Sequence, residues 1–140
     1  MKHKILIVDD EENILFVVKA ALAGKYDVLT APEGATALEI IKREKPVFVF
    51  LDIKMPGLSG LEVLGLIKDT GVAPVVWMLT GDEDLEMAMR TLETGASGYL
   101  TKPFDIETLR GVVMNAVDEL ECRERHEAVS DKPWRVKKDK

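Results

Sequence analysis

Carboxylate, hydroxyl and ammonium side chains stand at the ends of four separate apolar runs of the chain. Asp9 and Asp10 come after the first run, Asp52 after the third, Thr80 after the fourth and Lys102 after the fifth. Carboxylate oxygens are the ligands that Mg²⁺ or Mn²⁺ prefers, and an aspartate can attack phosphorus to form an acyl phosphate. Such transfer needs positioning and charge neutralisation above all. If these side chains meet, they predict a cation site beside a phosphate-accepting Asp52.

Each of these side chains also has a structural interpretation. Asp9 and Asp10 stand where a helix begins, and acids there cap free N–H groups and oppose the helix dipole. Asp52 precedes a turn rich in Pro and Gly, where Asp is common. Thr80 with Glu83 three residues later matches a capping box, and the lysine could be a solvated residue at a strand end. Separate caps and turns do not explain a set of oxygen ligands plus one cation, so we favour the chemical interpretation.

The elements that must position these residues alternate between short β-branched runs and stretches of helical period. Strands are predicted at residues 4–8, 27–30, 47–51, 75–79 and 98–100. Helices are predicted at residues 12–23, 34–44, 61–69, 84–94 and 106–121. Five successive βα units predict an α/β fold, a three-layer, doubly wound, five-stranded parallel sheet with helices on both faces. Such sheets bind ligands at the carboxyl ends of their strands, where the polar residues lie.

The chain divides into a predicted domain, residues 1–122, and a charged C-terminal tail, residues 123–140. The domain carries 12 Lys and Arg against 21 Asp and Glu, and the tail carries 7 against 4. An acidic domain argues against direct binding of nucleic acid, which needs Lys and Arg on the phosphates. We expect the tail to be partly helical or disordered and solvated; contact with an acidic partner or a membrane surface is the alternative.

Composition predicts a cytoplasmic protein that does not enter membranes. Hydrophobic residues make up 46% and charged residues 31%, as in ordinary globular domains. No apolar run approaches the roughly 18 residues that span a bilayer, and the start of the chain does not read as a signal peptide. The single cysteine, Cys122, cannot form an internal disulfide, which suits a reducing compartment.

Four motifs, in order and at matching spacing, carry a resemblance to a known family. They are ILIVDDE at 5–11, LDIKMPGLSG at 51–60, MLTG at 78–81 and GYLTKPF at 98–104. Together they resemble the response-regulator receiver domain of two-component signal transduction, over about residues 3–121. The resemblance implies a flavodoxin-like sheet of strand order 2-1-3-4-5. It also implies phosphorylation by a histidine kinase or phosphotransfer protein, with catalysis limited to the domain's own phosphorylation and dephosphorylation.

The resemblance assigns roles at the site residue by residue. Asp52 would be the phosphoacceptor. Asp10 would bind Mg²⁺ or Mn²⁺ directly and Asp9 mainly through water, while Asp52 and the main-chain carbonyl of Lys54 would complete the protein ligands. Lys102 would pair with the phosphoryl oxygens. Every position that the family's chemistry requires therefore has a matching residue in this chain.

Other matching positions concern the switch. Thr80 would move to hydrogen-bond a phosphoryl oxygen, and Tyr99 stands at the family's aromatic switch position. The surface made by the fourth helix, fifth strand and fifth helix would then change, to control an output partner or form a dimer. On the fourth helix we expect Met87 and Met89 to be buried or half-buried rather than part of a docking stripe.

Three further positions bear on local geometry and on phosphate lifetime. Pro103 matches a proline whose preceding peptide bond is cis in the family. Lys54 and Asp82 lie two residues beyond the acceptor and the threonine, beside the path of the hydrolytic water. Because a lysine cannot orient that water as a neutral amide would, the sequence predicts slow self-dephosphorylation.

Other classes of function fit less well. A phosphatase of the haloacid-dehalogenase type also uses an aspartyl nucleophile and Mg²⁺, but it needs Asp-x-Asp after its first strand, and here the two acids are adjacent. A docking module independent of phosphorylation would not need the complete acid set. Flavin binding rests on fold analogy alone. With no output domain visible, we expect a stand-alone regulator or a piece of a longer one.

Overall fold

The computed structural model describes residues 2–130, apart from the side chains of Asp82 and of residues 126–130. Strands and helices alternate along the whole described chain. The strands are β1 Lys4–Val8, β2 Asp27–Ala31, β3 Phe48–Asp52, β4 Val75–Thr80 and β5 Gly98–Thr101. The helices are α1 Glu12–Leu22, α2 Gly34–Glu44, α3 Gly60–Ile67, α4 Leu85–Thr94 and α5 Ile106–Ser130.

The five strands form one parallel sheet in the order β2-β1-β3-β4-β5, which confirms the predicted α/β fold. Every residue of β3 is buried, whereas the edge strands β2 and β5 are largely half-buried. This gradient follows from position, since only the central strands are covered on both faces. It explains why the runs of β1, β3 and β4 are the most apolar.

Two cores lie on opposite faces of the sheet because successive side chains of a strand point in opposite directions. One core joins the sheet to α1 and α5 through residues such as Ile5, Ile7, Phe48, Phe50 and Leu109. The other joins it to α2, α3 and α4 through residues such as Leu6, Val8, Val49, Leu51 and Ala88. The arrangement fixes which face each helix must cover.

Strand ends differ from the prediction by about one residue, because the backbone hydrogen bonds of the sheet continue as far as Asp52 and Thr80. The Ile53 N–H donates to the Leu79 carbonyl at 3.1 Å, and the Lys102 N–H donates to the Thr80 carbonyl at 2.7 Å. Asp52 and Thr80 therefore end β3 and β4 rather than following them. Helical ends differ too, since short 3₁₀ turns cover Lys68–Thr70 and Asp82–Asp84.

Helix α5 continues past residue 121, where the helical period ends, and reaches Ser130 in the tail for which the sequence predicts partly helical structure. The added residues include Glu, Arg and Ala, which are strong helix formers and continue a helix without needing an apolar face. No helix in the described part of the chain is both long enough and apolar enough to cross a membrane. The predicted disorder of the tail's end concerns residues 131–140, which lie outside the described residues.

The loop after β3 is held by a capping box and by close backbone packing. The Ser59 hydroxyl accepts from the Glu62 N–H, and the Glu62 carboxylate accepts from the Ser59 N–H. Between them, the Gly60 N–H donates to the Ile53 carbonyl at 2.7 Å. A Cβ on Gly60 would overlap the carbonyl oxygen of Asp52, so only glycine fits here.

We therefore expect Gly60→Ala to lower the free energy of unfolding by about 1–3 kcal/mol, as overpacking does. Urea titration followed by circular dichroism measures the change. Gly65→Ala is the matched control on the same helix, because a Cβ there would contact nothing within 4 Å. That variant should gain about 0.5–1 kcal/mol from helix propensity. Equal effects at the two glycines would contradict the packing argument.

Candidate functional site

Three carboxylates meet at the carboxyl ends of β1 and β3. One oxygen from each of Asp9, Asp10 and Asp52 lies within 4.8 Å of the others. The two strands are neighbours, and the strand order reverses between them, so a crevice opens beyond their ends. Asp9 is fully buried and Asp52 is 5% exposed, whereas Asp10 faces solvent. The cluster therefore forms a small acidic pocket that is open on the side of Asp10.

Lys102 brings an ammonium group into this acidic pocket. Its Nζ lies 3.0 Å from Asp9 Oδ2, 3.3 Å from Glu11 Oε1 and 3.5 Å from Asp52 Oδ1. Three carboxylates thus surround the ammonium, and Asp10 lies beside two of them, so negative charge is in excess. A pocket with this balance attracts a cation.

The two oxygens of Asp9 have different surroundings. Oδ1 accepts a hydrogen bond of 2.9 Å from the N–H of Glu11. Oδ2 is buried and, among the described atoms, has no partner with hydrogen-bond geometry. Its 3.0 Å contact with Lys102 is therefore an ion pair whose angles do not match a hydrogen bond. A buried carboxylate oxygen with unused lone pairs fits a hard divalent cation bound at this pocket.

Burial and neighbouring charges shift the titration of the central groups. Burial, and next the negative charge of Asp9, raise the pKa of Asp52 to about 7, with Lys102 opposing and Asp10 adding to the shift. Burial works against the charge of Lys102, but its contacts with Asp9, Asp52 and Glu11 outweigh burial and raise the pKa of this ammonium. The carboxyl group of Asp52 thus holds a proton to a much higher pH than an ordinary aspartate.

Thr80 and Tyr99 lie on the strands next to the pocket. The Thr80 side chain is buried, and its hydroxyl donates to the Gly81 carbonyl at 3.1 Å. Tyr99 is half-buried and packs against the core on the side of α2, α3 and α4. Met87 is half-buried as predicted, but the prediction for Met89 is wrong, since this side chain is 58% exposed. Ala88 is the buried neighbour, which directs the next residue outward.

The remaining predicted residues lie in the loops around the pocket. The Lys54 ammonium lies 3.4 Å from Asp84 Oδ1 and is 70% exposed. Asp82 begins the 3₁₀ turn before α4, and its side chain is not described. The Lys102–Pro103 peptide bond is cis.

Three features of the site were not predicted from sequence. They are the contact of Glu11 with Lys102, the ion pair between Lys54 and Asp84, and the capping box of α3. For Glu11 a signal existed, because it is the third acid after β1. The ion pair joins two loops whose relative position the sequence does not reveal.

Comparison with known proteins agrees with this geometry. The sequence matches the family model of the response regulator receiver domain over residues 5–114. The chain belongs to this family. Its receiver domain thus accounts for both the sheet order and the acidic cluster, and the predicted family is confirmed.

Curated relatives of this receiver domain differ in length. The sporulation initiation phosphotransferase F of Bacillus subtilis is 36% identical over 114 residues, which cover 81% of this chain and 92% of the relative. The alkaline phosphatase synthesis transcriptional regulatory protein PhoP of the same organism is 41% identical over 106 residues, covering 74% of this chain. The chain spans only 44% of that regulator's length.

Solved structures of similar receiver domains superimpose well. The signal receiver domain of a LuxO repressor protein from Vibrio parahaemolyticus has a TM-score of 0.83 at 25% identity, covering 91% of this chain and 98% of its own. A receiver domain from Clostridium thermocellum has a TM-score of 0.78 at 35% identity, covering 86% and 98%. The whole βα alternation of this chain is therefore common to these structures.

The raised pKa predicts how Asp52 affects stability. Between its ordinary pKa of 3.8 and about 7, the folded chain holds a proton that the unfolded chain has lost. Its contribution to stability therefore falls as pH rises through this range. Without divalent cations, Asp52→Asn should be more stable than the parent by about 1–4 kcal/mol near pH 8, at about 1.4 kcal/mol for each pKa unit.

Thermal unfolding in EDTA, at about pH 5 and about pH 8, measures this difference, which should shrink at the lower pH. The exposed Asp69 offers the matched control, because Asp69→Asn makes the same substitution away from the pocket. A parent chain more stable than Asp52→Asn near pH 8 would show that repulsion in the pocket is not the dominant effect.

Proposed function

We propose that this receiver domain accepts a phosphoryl group on a carboxylate oxygen of Asp52 from the phosphohistidine of a kinase or phosphotransfer protein. The Asp52 oxygen bonds to phosphorus as the P–N bond to the histidine breaks, and the histidine nitrogen takes up a proton. The observation that carries the proposal is the meeting of Asp9, Asp10 and Asp52 within 4.8 Å, with Lys102 beside them. Membership of the receiver family supports it.

The pocket suits Mg²⁺ or Mn²⁺ as the cofactor of this transfer. Asp9, Asp10, Asp52 and the main-chain carbonyl of Lys54 would hold the ion. A bound divalent cation supplies neutralisation of the charge on the carboxylates and the phosphoryl oxygens. The excess of carboxylates over ammonium groups and the unused lone pairs of Asp9 Oδ2 both support a cation here.

The residues around the acceptor have separate tasks in this proposal. Lys102, 3.5 Å from Asp52 Oδ1, neutralises an incoming phosphoryl oxygen. Thr80 exchanges its hydrogen bond with the Gly81 carbonyl for one with the new phosphate. Space released by Thr80 lets Tyr99 move inward, which alters the surface of α4, β5 and α5. That surface then controls an output partner, or a second copy of the domain, in the cytoplasm.

Related proteins support a signalling role of this kind. One relative is named as a phosphotransferase and matches over nearly its whole length, whereas others are named as transcriptional regulators and extend well beyond the match. We infer no direct contact of this domain with nucleic acid, because residues 1–122 are acidic.

Phosphorylation by acetyl phosphate, read by intact-protein mass spectrometry, tests the acceptor. With Mg²⁺ the parent should gain one phosphoryl group, and Asp52→Asn should gain none. Lys102→Met should react at least about tenfold more slowly, since loss of one charge contact to the transferring group costs that order. Lys68→Met is the control, because Lys68 is exposed and distant from the pocket.

Two outcomes would contradict the proposal. A phosphoryl group found on another residue of the parent would remove Asp52 from its role. Sustained hydrolysis of p-nitrophenyl phosphate by the parent would favour the haloacid-dehalogenase type of phosphatase, in which the same acids would turn over a substrate.

The lifetime of the phosphate should depend on Lys54. Its side chain is long, charged and directed to Asp84, so it does not offer an amide to orient the hydrolytic water. We expect Lys54→Asn to lose phosphate several-fold faster than the parent. Phosphate release after removal of acetyl phosphate measures the rate, and Lys68→Asn controls for loss of a surface charge. An unchanged or slower loss would refute this role.

A further inference from the structure

Glu11 contacts the acidic pocket although it is not one of the residues to which the proposed transfer gives a task. It is the last residue before α1, and its carboxylate makes no capping hydrogen bond to that helix. Instead, Glu11 Oε1 accepts a hydrogen bond of 3.3 Å from the ammonium of Lys102, 91 positions away along the chain. The side chain of Glu11 therefore contacts the lysine of the pocket rather than its own helix.

The backbone of Glu11 is held on both sides by hydrogen bonds. Its N–H donates to Asp9 Oδ1 at 2.9 Å. Its carbonyl oxygen accepts from the N–H groups of Ile14 and Leu15, which begin α1. Because these bonds fix where the side chain starts, the carboxylate stays within reach of the pocket.

Lys102 has three N–H donors, and three carboxylates lie around it. Among the described atoms, only the contact with Glu11 has the geometry of a hydrogen bond. Asp52 Oδ1, at 3.5 Å from Nζ, is the most distant of the three oxygens. The ammonium is therefore oriented toward Glu11 rather than toward the proposed acceptor.

The partners of this ammonium differ in their access to water. The side chain of Glu11 is 61% exposed, whereas those of Lys102 and Asp52 are 19% and 7% exposed. A phosphoryl group on Asp52 would bring charged oxygens into the buried part of the pocket, where an ammonium stabilises them strongly. Water solvates the Glu11 carboxylate with or without the lysine, so Glu11 can release the ammonium at little cost.

We propose that Glu11 is a positioning residue that competes with the phosphoryl group for the ammonium of Lys102. Before phosphorylation, Glu11 draws the ammonium toward the solvent side of the pocket. During the transfer, Lys102 exchanges this hydrogen bond for one with a phosphoryl oxygen. Glu11 therefore slows phosphorylation of Asp52 and weakens the hold of Lys102 on the phosphoryl group. This inference rests on the proposed function, because it concerns the same acceptor and the same lysine.

The initial rate of phosphorylation by acetyl phosphate, with Mg²⁺ present, tests the competition. Glu11→Gln keeps the size of the side chain and removes its charge. We expect this variant to react about two- to fivefold faster than the parent, as loss of one exposed ion pair allows. Glu12→Gln is the matched control, because it makes the same change in the first turn of α1, and its rate should stay close to that of the parent. Intact-protein mass spectrometry measures the rates.

A double-mutant cycle distinguishes an effect through Lys102 from a direct effect of charge. In the Lys102→Met background no ammonium remains to compete for. Glu11→Gln should then change the rate no more than Glu12→Gln does. An equal acceleration with and without the lysine would show that Glu11 acts by its charge alone, which would overturn the positioning role.

Binding of beryllofluoride, a phosphoryl mimic, gives a measurement that does not depend on the transfer step. With Mg²⁺ present, its dissociation constant, from ¹⁹F NMR titration, should be about two- to fivefold lower for Glu11→Gln than for the parent. Glu12→Gln should bind the mimic as the parent does. Circular dichroism checks that each variant is folded.

The results separate this inference from the proposed function. If the parent is phosphorylated on Asp52 and Glu11→Gln reacts at the same rate or more slowly, Glu11 does not compete for the ammonium and the inference is wrong. If the parent takes up no phosphoryl group on Asp52, the proposed function is wrong, and the inference fails with it.

Discussion

Excess negative charge in a desolvated pocket is the constraint on which the rest of this structure depends. Asp9 and Asp52 are almost inaccessible to water, yet they share a single ammonium with Glu11 and lie beside Asp10. Repulsion between carboxylates grows as water is removed, and one cation offsets only part of it. As a result, burial and the charge of Asp9 raise the pKa of Asp52 to about 7. A pocket held in this condition gains stability from any ligand that adds positive charge.

The sheet is what makes such a pocket possible. Parallel strands bring their carboxyl ends to one edge, and Asp52 is the last residue of a strand that is buried along its whole length. Its neighbours leave the backbone little freedom, because Ile53 bonds to both the Leu79 carbonyl and the Gly60 N–H. Rigid backbone here matters, since a carboxylate free to turn toward water would relieve the repulsion. The apolar sheet therefore preserves the polar site.

Sequence reasoning reached the topology and the acidic cluster because both depend on order along the chain. Strand period, helix period and the position of acids after strands are local signals. Parallel pairing of the strands then brings these acids together at one edge of the sheet. What it missed depends on distances between elements. Lys54 and Asp84 lie in different loops, and no local pattern indicates their contact.

Two local patterns did not correspond to the structure, one of them an interpretation that we did not favour and the other a prediction. Thr80 and Glu83 match a capping box, but the Thr80 hydroxyl donates to a carbonyl, and the capping box occurs at Ser59 and Glu62 instead. The exposure of Met89 was missed because an apolar residue does not reveal which side of its helix the sheet covers. Ala88, the small residue beside it, is the one that packs inward, since a small side chain permits close approach.

Weak contacts near the pocket indicate which part of the structure would move when Asp52 is phosphorylated. Under the proposed function, charge added at Asp52 acts first on the Thr80 hydroxyl, whose present bond is to the adjacent Gly81 carbonyl. The same loop carries Asp84, whose carboxylate lies 3.4 Å from the ammonium of Lys54, a side chain that is 70% exposed. Because solvent screens the lysine end of this ion pair, its contribution to stability is small, about 0–1 kcal/mol. Neither contact opposes rearrangement strongly, whereas the sheet below is rigid. Motion is therefore directed along the loop into α4, whose exposed Leu85, Met89 and Leu92 present an apolar surface that a small rotation would alter.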